Sequence, residues 1–404
     1  MNSAAPWAYP QDLAATLRRA WPSWALPLPD SLEHILATAY HASFLRDEER
    51  PVTFRLLVAP PSSIVDDVSP PMGLLPMRFT EARPLDEHEL RRMSPAAKYH
   101  RALIGVSERE GVPLAWGIVQ SGPRWLQGAH GGRMREPALP PALVLRVVRP
   151  GHVVAACGAD LVTELRGGRV SDLTLDVFAS SWLPALFAAE REEIATAYRE
   201  RGGDVIAENM QGATRSAGQQ MVKRVLSIIR AAHHGGTVIF LPSSGEGVQH
   251  LSIKYAFQAQ QPLSQFRRLM LAILSAQNTG DHTDLDALAE LEEALFELGQ
   301  LIAQLADVDG AVVLNKRFEL LGFGAEISSA LPGLQDVRRA LDLEGERFVM
   351  ERVDGVGTRH RSAYRMCAAT PGALAIVVSQ DGSVRFVTSH RGALTYWDHG
   401  VGDE

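Results

Sequence analysis

Hydrophobic positions along the chain fall into two textures: short apolar runs broken by Gly and Pro, then long helical stripes that close on buried strands. Near the start, Leu32, Ile35, Leu36, Ala39 and Tyr40 recur at helical spacing behind Ser31, the expected N-cap. Pro22 and the prolines at 27 and 29 separate this helix from an earlier one, so residues 1 to about 50 read as two helical pieces. From Val52 to Gly168 the runs Phe54–Val58, Leu143–Val148 and His152–Cys157 alternate with Pro/Gly breaks, the texture of a small mixed domain with a sheet. The stretch Ser121–Pro141, rich in Gly, Pro and Arg, is expected to be a long loop. Trp116 and Trp125 bracket its start as core or loop-anchoring residues.

Helical spacing returns from about Asp176 to His234, with Met221, Val222, Val225, Ile228 and Ile229 forming a one-sided stripe. Gly235-Gly236 ends this helix, and Thr237–Leu241 reads as a buried strand closed by Pro242. Helix, glycine pair and apolar strand in that order mark the start of an α/β unit. Gly245 to Pro262 is expected as polar loop, and about Gln265 to Gln277 as helix. After Asp281 a long amphipathic helix places Leu285, Leu288, Leu291, Leu295, Leu298, Ile302 and Leu305 inside. Its glutamates Glu290, Glu292, Glu293 and Glu297 form a solvated face rather than a metal site. This helix ends at Asp307. Strands follow at Ala311–Leu314 and Phe318–Gly322, paired across the Asn315-Lys316 turn, and another at Arg347–Val353. Ser362–Ala369 reads as a short helix with Arg359-His360-Arg361 at its N-terminal end. Leu374–Ser379 and Ser383–Thr388 read as a hairpin closed by Asp381-Gly382.

Composition narrows this picture only slightly. A chain of 404 residues suggests two or three domains, and 46% hydrophobic with 22% charged residues is ordinary for a globular protein. A net charge of -7 gives no general attraction to nucleic acid or acidic membranes, so any anion site must be local. The two cysteines, Cys157 and Cys367, lie far apart and outside any C-x-x-C spacing, which argues against a disulfide framework or zinc site and for a cytoplasmic location. No apolar window is long enough to span a bilayer. Pro6, Pro10 and Asp12 interrupt the N-terminus, so no signal peptide is expected.

The candidate chemistry lies in two motifs. In Gly357-Thr358-Arg359-His360-Arg361-Ser362-Ala363, two arginine forks match phosphate oxygens at the positive end of a helix, and His360 adds one or two donors. Taken alone, the segment reads equally well as a surface basic patch paired with the acidic helix. Asp309-Gly310-Ala311 supplies the opposite charge, for a metal or for a hydroxyl that must lose its proton, although Asp-Gly alone is an ordinary turn. Other residues read as structural. His233 and His234 cap a helix C-terminus, Gly245-Glu246-Gly247 lacks the lysine and hydroxyl of a P-loop, and Cys367 belongs to the core.

Taken together, the two motifs resemble the paired signature of the diadenylate cyclase domain, and the order of elements over roughly residues 205 to 395 is similar too. The resemblance implies an α/β fold, with a mixed central sheet flanked by helices in the cyclase domain and a smaller α/β sensor-like domain ahead of it. The implied division is 1–175 sensor domain, 176–204 helical connector and 205–404 cyclase-like domain. The implied activity is metal-dependent condensation of two ATP into cyclic di-AMP and two pyrophosphates, by facing protomers of a homodimer or larger oligomer. Asp309, Arg359, His360 and Arg361 would be catalytic. Gly310, Ala311, Gly324, Gly357, Thr358, Ser362, Ser379 and Gln380 would bind nucleotide. Asp309 and Asp381 would hold Mg²⁺ or Mn²⁺. No nucleic acid or membrane partner is expected.

One departure from the family pattern matters. The family hairpin usually reads Ser-Glu-Glu-x-Gly, whereas here it is Ser379-Gln380-Asp381-Gly382. Gln380 is neutral and a poorer magnesium ligand, and Asp381 sits where a turn favours Asp for backbone reasons. The departure opens a second reading, a catalytically weakened sensor that binds ATP or cyclic di-AMP.

Overall fold

The computed structural model describes residues 7–21, 26–64, 73–122, 139–158, 160–172, 175–200, 207–258 and 284–400. Trp125, most of the loop expected at 121–141 and the helix expected at 265–277 lie outside them. The described residues form two compact units, one of residues 7–172 and 400, the other of residues 175–399.

The first unit opens with helices α1 (Pro10–Ala20) and α2 (Pro29–Ala42). Helix α2 starts earlier than its pattern suggests. Pro29 takes the first helical position, where its missing N–H costs nothing, and Leu28 is the N-cap. Ser31 is therefore not the cap. It sits inside the first turn, 1% exposed, and its hydroxyl donates to the Gly111 carbonyl at 3.0 Å. The strands are β1 (Phe54–Val58), β2 (Leu75–Pro84), β3 (Ala102–Arg109), β4 (Val112–Gln120), β5 (Leu143–Arg149), β6 (His152–Cys157), β7 (Asp160–Arg166) and β8 (Arg169–Asp172). Helix α3 (Glu87–Met93), between β2 and β3, is capped by Asp86, whose carboxylate accepts from the Glu89 N–H at 2.8 Å.

These strands make one eight-stranded sheet in the order β8-β7-β6-β5-β1-β3-β4-β2, with β1 parallel to β3 and antiparallel to β5. Alternation along the strands builds two cores. Phe54, Leu56, Ile104 and Leu145 pack with Leu17, Leu32 and Ile35 of the helices, while Leu57, Val144 and Ala156 pack with Trp116. Trp116 is a core residue as expected: its indole N–H donates to the Ala59 carbonyl at 2.9 Å. Its ring lies over Gly105, where a Cβ would come within 2.3 Å of it. Arg55, fully buried on β1, faces Arg146 across the β1–β5 ladder and donates to the Ser121 hydroxyl at 2.8 Å.

The second unit begins with a short 3₁₀ turn (Val177–Ala179) and a single helical turn (Trp182–Ala185). Then come α4 (Ala188–Arg199), α5 (Ala207–Ala231), β9 (Gly236–Leu241), β10 (Leu251–Ala256), α6 (Asp284–Leu305), β11 (Ala311–Asn315) and β12 (Leu320–Ile327). The chain finishes with β13 (Asp336–Ala340), β14 (Phe348–Arg352), α7 (Thr358–Ala369), β15 (Leu374–Val378), β16 (Val384–His390) and β17 (Ala393–His399). The nine strands form a mixed sheet, β10-β12-β11-β9-β15-β16-β17-β13-β14, in which β9–β11 and β13–β17 are parallel pairs. One face of β9 meets α7: Ile239 and Leu241 pack with Ala363, Met366 and Cys367. The other presents Val238 and Phe240 to Met221 and Val225 of α5 and Ile302 of α6.

Three expectations change here. Residues 176–199, expected within a connector, are bound into the second unit: Phe178 meets Phe386 edge-on at 5.5 Å and Trp182 stacks on Trp397 at 4.2 Å. Part of the expected loop at 245–262 is strand β10, paired with the outer side of β12. Helix α7 starts at Thr358, so the arginine motif lies inside its first turn. Among the described residues, no helix is long and apolar enough to cross a membrane.

Candidate functional site

Strand pairing collects the predicted residues at one end of the second sheet. Parallel strands β9 and β11 start side by side, with Thr237 opposite Ala311. Antiparallel β15 ends beside them, with Val378 opposite Gly236. Asp309-Gly310, His234-Gly235 and Ser379-Gln380 therefore share one edge about 10 Å across, two strand spacings. Helix α7 starts at the same edge. Arg359 Nη1 donates to the His234 carbonyl at 2.9 Å, and His360 Nε2 lies 3.5 Å from the Ser379 hydroxyl.

Two glycines make this crowding feasible. Gly235 has φ +68°, and a Cβ there would stand 2.6 Å from the Val378 carbonyl oxygen and 2.9 Å from Arg359 Nη1. Gly310 has φ +110°, and a Cβ would stand 2.5 Å from the Gly324 carbonyl carbon. Packing of the β11 lead-in against β12 thus already requires a glycine at 310. Ala311 is buried at the start of β11, so its side chain belongs to the core beneath α7.

The cationic residues differ in their surroundings. Arg359 is half-buried and tied to the main chain, which leaves most of its five donors for other partners. Arg361 is exposed, with Nη2 only 3.5 Å from the exposed Thr358 hydroxyl. Gly357 is the N-cap of α7, so the first-turn N–H groups and the Arg361 fork lie at the same helix end. Ser362 is half-buried on the same helix. The pKa of His360 is held down to about 4, first by burial and then by the neighbouring Arg385 guanidinium, so the ring is neutral at physiological pH.

Arg385 belongs to a network the sequence reading missed. It pairs with Asp398 at 2.7 Å, donates to the Tyr364 hydroxyl at 3.3 Å and lies 4.5 Å from the centre of the Tyr396 ring. Tyr396 donates to Glu351, and Arg339 bridges Glu351 at 3.3 Å and Asp398 at 3.2 Å. The signal for it was Tyr364, four residues beyond His360 and so on the same helical face.

The acidic residues also separate. Asp309 is exposed, and among the described residues its carboxylate takes no hydrogen bond or ion pair. Asp381 Oδ1 accepts from the Ser383 N–H at 3.0 Å and the Ser383 hydroxyl at 2.8 Å, so it braces the hairpin turn. Gln380 is exposed beside it. Among the described residues, no three His, Cys, Asp or Glu side chains cluster as metal ligands. A magnesium-type ion held by one carboxylate and mainly by substrate phosphates fits this donor set; an all-protein cage does not.

Comparison with known proteins bears on the first unit. Residues 21–120, which include α2 through β4, match the family profile DACNV, described as a probable sensor domain. No curated protein matches the chain.

Proposed function

We propose that the second unit is a diadenylate cyclase regulated by the first. The carrying observation is that strand pairing brings Asp309, at the lead-in to β11, to the same sheet end as the α7 N-terminus, Arg359, His360 and Ser379. Sensor domains of the matched description are found ahead of diadenylate cyclase domains, which supports the pairing of the two units.

In this reading each protomer holds one ATP, and two protomers face each other. The 3′-hydroxyl oxygen of each ATP bonds to the α-phosphorus of the other. The bond from that phosphorus to pyrophosphate breaks, and the hydroxyl proton leaves through Asp309 to water. The products are cyclic di-AMP and two pyrophosphates. Arg361, Thr358 and the α7 N–H groups neutralise the triphosphate, while Arg359 and neutral His360 orient it by donated hydrogen bonds. A Mg²⁺ or Mn²⁺ ion at Asp309 would lower the charge on the phosphates and favour ionisation of the hydroxyl.

A second reading rests on Asp381 and Gln380: the one is occupied in its turn and the other is neutral, which suits a nucleotide sensor with little turnover. Incubation of the whole chain with ATP and either metal separates the two. Cyclic di-AMP that disappears in Asp309→Asn supports the cyclase. ATP binding that survives Asp309→Asn and weakens in Arg361→Ala, with no product from the wild type, supports the sensor. Absence of both product and ATP binding rejects both readings.

A further inference from the structure

The second unit has a cavity of about 200 Å³ on the α5 face of the sheet, at the opposite end of β9 from Arg359 and Asp309. The length of β9, about 16 Å, separates it from the candidate nucleotide site. Its apolar wall is a triad in which Phe187 stacks on Phe318 at 5.7 Å and both meet Phe240 edge-on, at 5.6 and 5.4 Å. Gly218 of α5 forms part of the opposite wall. A Cβ there would lie 3.5 Å from the Phe318 ring, an ordinary contact distance.

The polar end is chemically incomplete. Glu190 Oε1 accepts from the Ser243 hydroxyl at 2.6 Å, but its buried Oε2 has no hydrogen-bond partner among the described residues. Lys316 is 9% exposed, and among the described residues its ammonium makes no hydrogen bond or ion pair. The two charges sense each other without closing to a salt bridge. A buried acceptor without a partner, Glu190 Oε2, lines the same cavity as the Lys316 side chain, and such an acceptor is costly unless a further group satisfies it.

We propose that this cavity binds a small molecule of the apolar α-amino acid class. Its ammonium would donate to Glu190, its carboxylate would accept from Lys316, and its aromatic or branched side chain would lie against the phenylalanine triad. A cavity of about 200 Å³ with one apolar wall and a polar end, here Glu190 and Lys316 with Arg191, Glu193, Arg215 and Arg317 around them, has the usual make-up of a small-molecule site.

The test is isothermal titration of the whole chain with L-phenylalanine, 3-phenylpropionate, which lacks the ammonium, and phenethylamine, which lacks the carboxylate. L-Phenylalanine is expected to bind, and each truncated probe about tenfold more weakly, the loss of one charged hydrogen bond. Lys316→Met should weaken L-phenylalanine and 3-phenylpropionate but not phenethylamine; Glu190→Gln should weaken L-phenylalanine and phenethylamine but not 3-phenylpropionate. Gly218→Leu fills the cavity within a helix and should abolish binding of all three while the protein stays folded. No binding of L-phenylalanine at millimolar concentration, equal affinity for the three probes, or binding that persists in Gly218→Leu overturns the proposal.

Discussion

Gly310→Ala tests the geometry that places Asp309. The residue sits at φ +110°, a region that costs a side chain about 1–3 kcal/mol. The new methyl would also stand 2.5 Å from the Gly324 carbonyl carbon and 2.8 Å from the Ala325 nitrogen. Those are backbone atoms in the β11–β12 pairing, so no side chain can swing aside, and overpacking of this kind costs about 1–3 kcal/mol more. The sum is about 2–6 kcal/mol, which for a unit of this size lowers Tm by about 4 °C at the least. Gly324→Ala is the control. It shares a positive φ of +63°, but its Cβ would meet side-chain atoms at 3.3 and 3.5 Å and backbone only at 3.6 Å, so strain of about 1 kcal/mol dominates. Scanning calorimetry and urea unfolding of the whole chain give both values. A Gly310→Ala transition within about 2 °C of the wild type, or one above that of Gly324→Ala, would refute the close approach and with it the placement of Asp309.

Further outcomes follow from other contacts. Arg359→Ala removes a charged donor from the His234 carbonyl and should cost about 1.5–3 kcal/mol in urea unfolding, whereas exposed Arg361→Ala should leave stability within about 0.5 kcal/mol and weaken only nucleotide binding. His360 and His399 both have pKa values lowered by burial from 6.5 to about 4, so above 6.5 neither state carries their protons and their full stabilising share is present. As pH falls from 6.5 to 4 the unfolded chain takes up protons the folded chain refuses, and stability drops by up to about 1.4 kcal/mol per pH unit for each. Removing one proton uptake by His399→Gln should make urea-unfolding free energies less steep across that window, and an unchanged slope counts against it. Gly105→Ala, with its Cβ 2.3 Å from the Trp116 ring, should lower the calorimetric stability of the first unit by about 1–3 kcal/mol and shift Trp116 fluorescence.

The sequence made the centre of the second sheet legible because its strands are buried on both faces. Thr237–Leu241, Ala311–Leu314 and Leu374–Ser379 are continuous apolar runs bounded by glycine, and they stand within a residue of β9, β11 and β15. Away from the centre the match is uneven: edge strand β14 lies inside the strand expected at 347–353, whereas edge strand β10 and strands β13 and β17 were not expected. Strand β10 alternates Leu251, Ser252, Ile253 and Lys254, a period of two that a reading for polar loops passes over. Strand β13 is short and carries Asp336, Arg338 and Arg339 among its five residues, so it lacks an apolar run; β14, which was expected, leaves Phe348, Val349 and Met350 exposed. Helix α2 began earlier than its hydrophobic stripe implied because Pro29 at the first helical position outweighed Ser31 as a start signal. At the candidate site the motif residues themselves were legible, but their supports were not. The Arg385–Asp398 pair and the His234 carbonyl that fixes Arg359 lie far from the motifs in sequence and are brought in only by strand order. The roles of Gly310 in packing and of Asp381 in its turn likewise depend on neighbours that spacing does not reveal.

The central claim is that two nucleotides are joined at the end of the second sheet that carries both Asp309 and the start of α7. Mass spectrometry of a reaction containing equal unlabelled and ¹⁵N-labelled ATP, with Mg²⁺ or Mn²⁺ and the whole chain, tests it directly. The account predicts cyclic di-AMP in three mass classes, with the mixed-label species the most abundant, and loss of all three in Asp309→Asn. ATP that remains unjoined with either metal would contradict it.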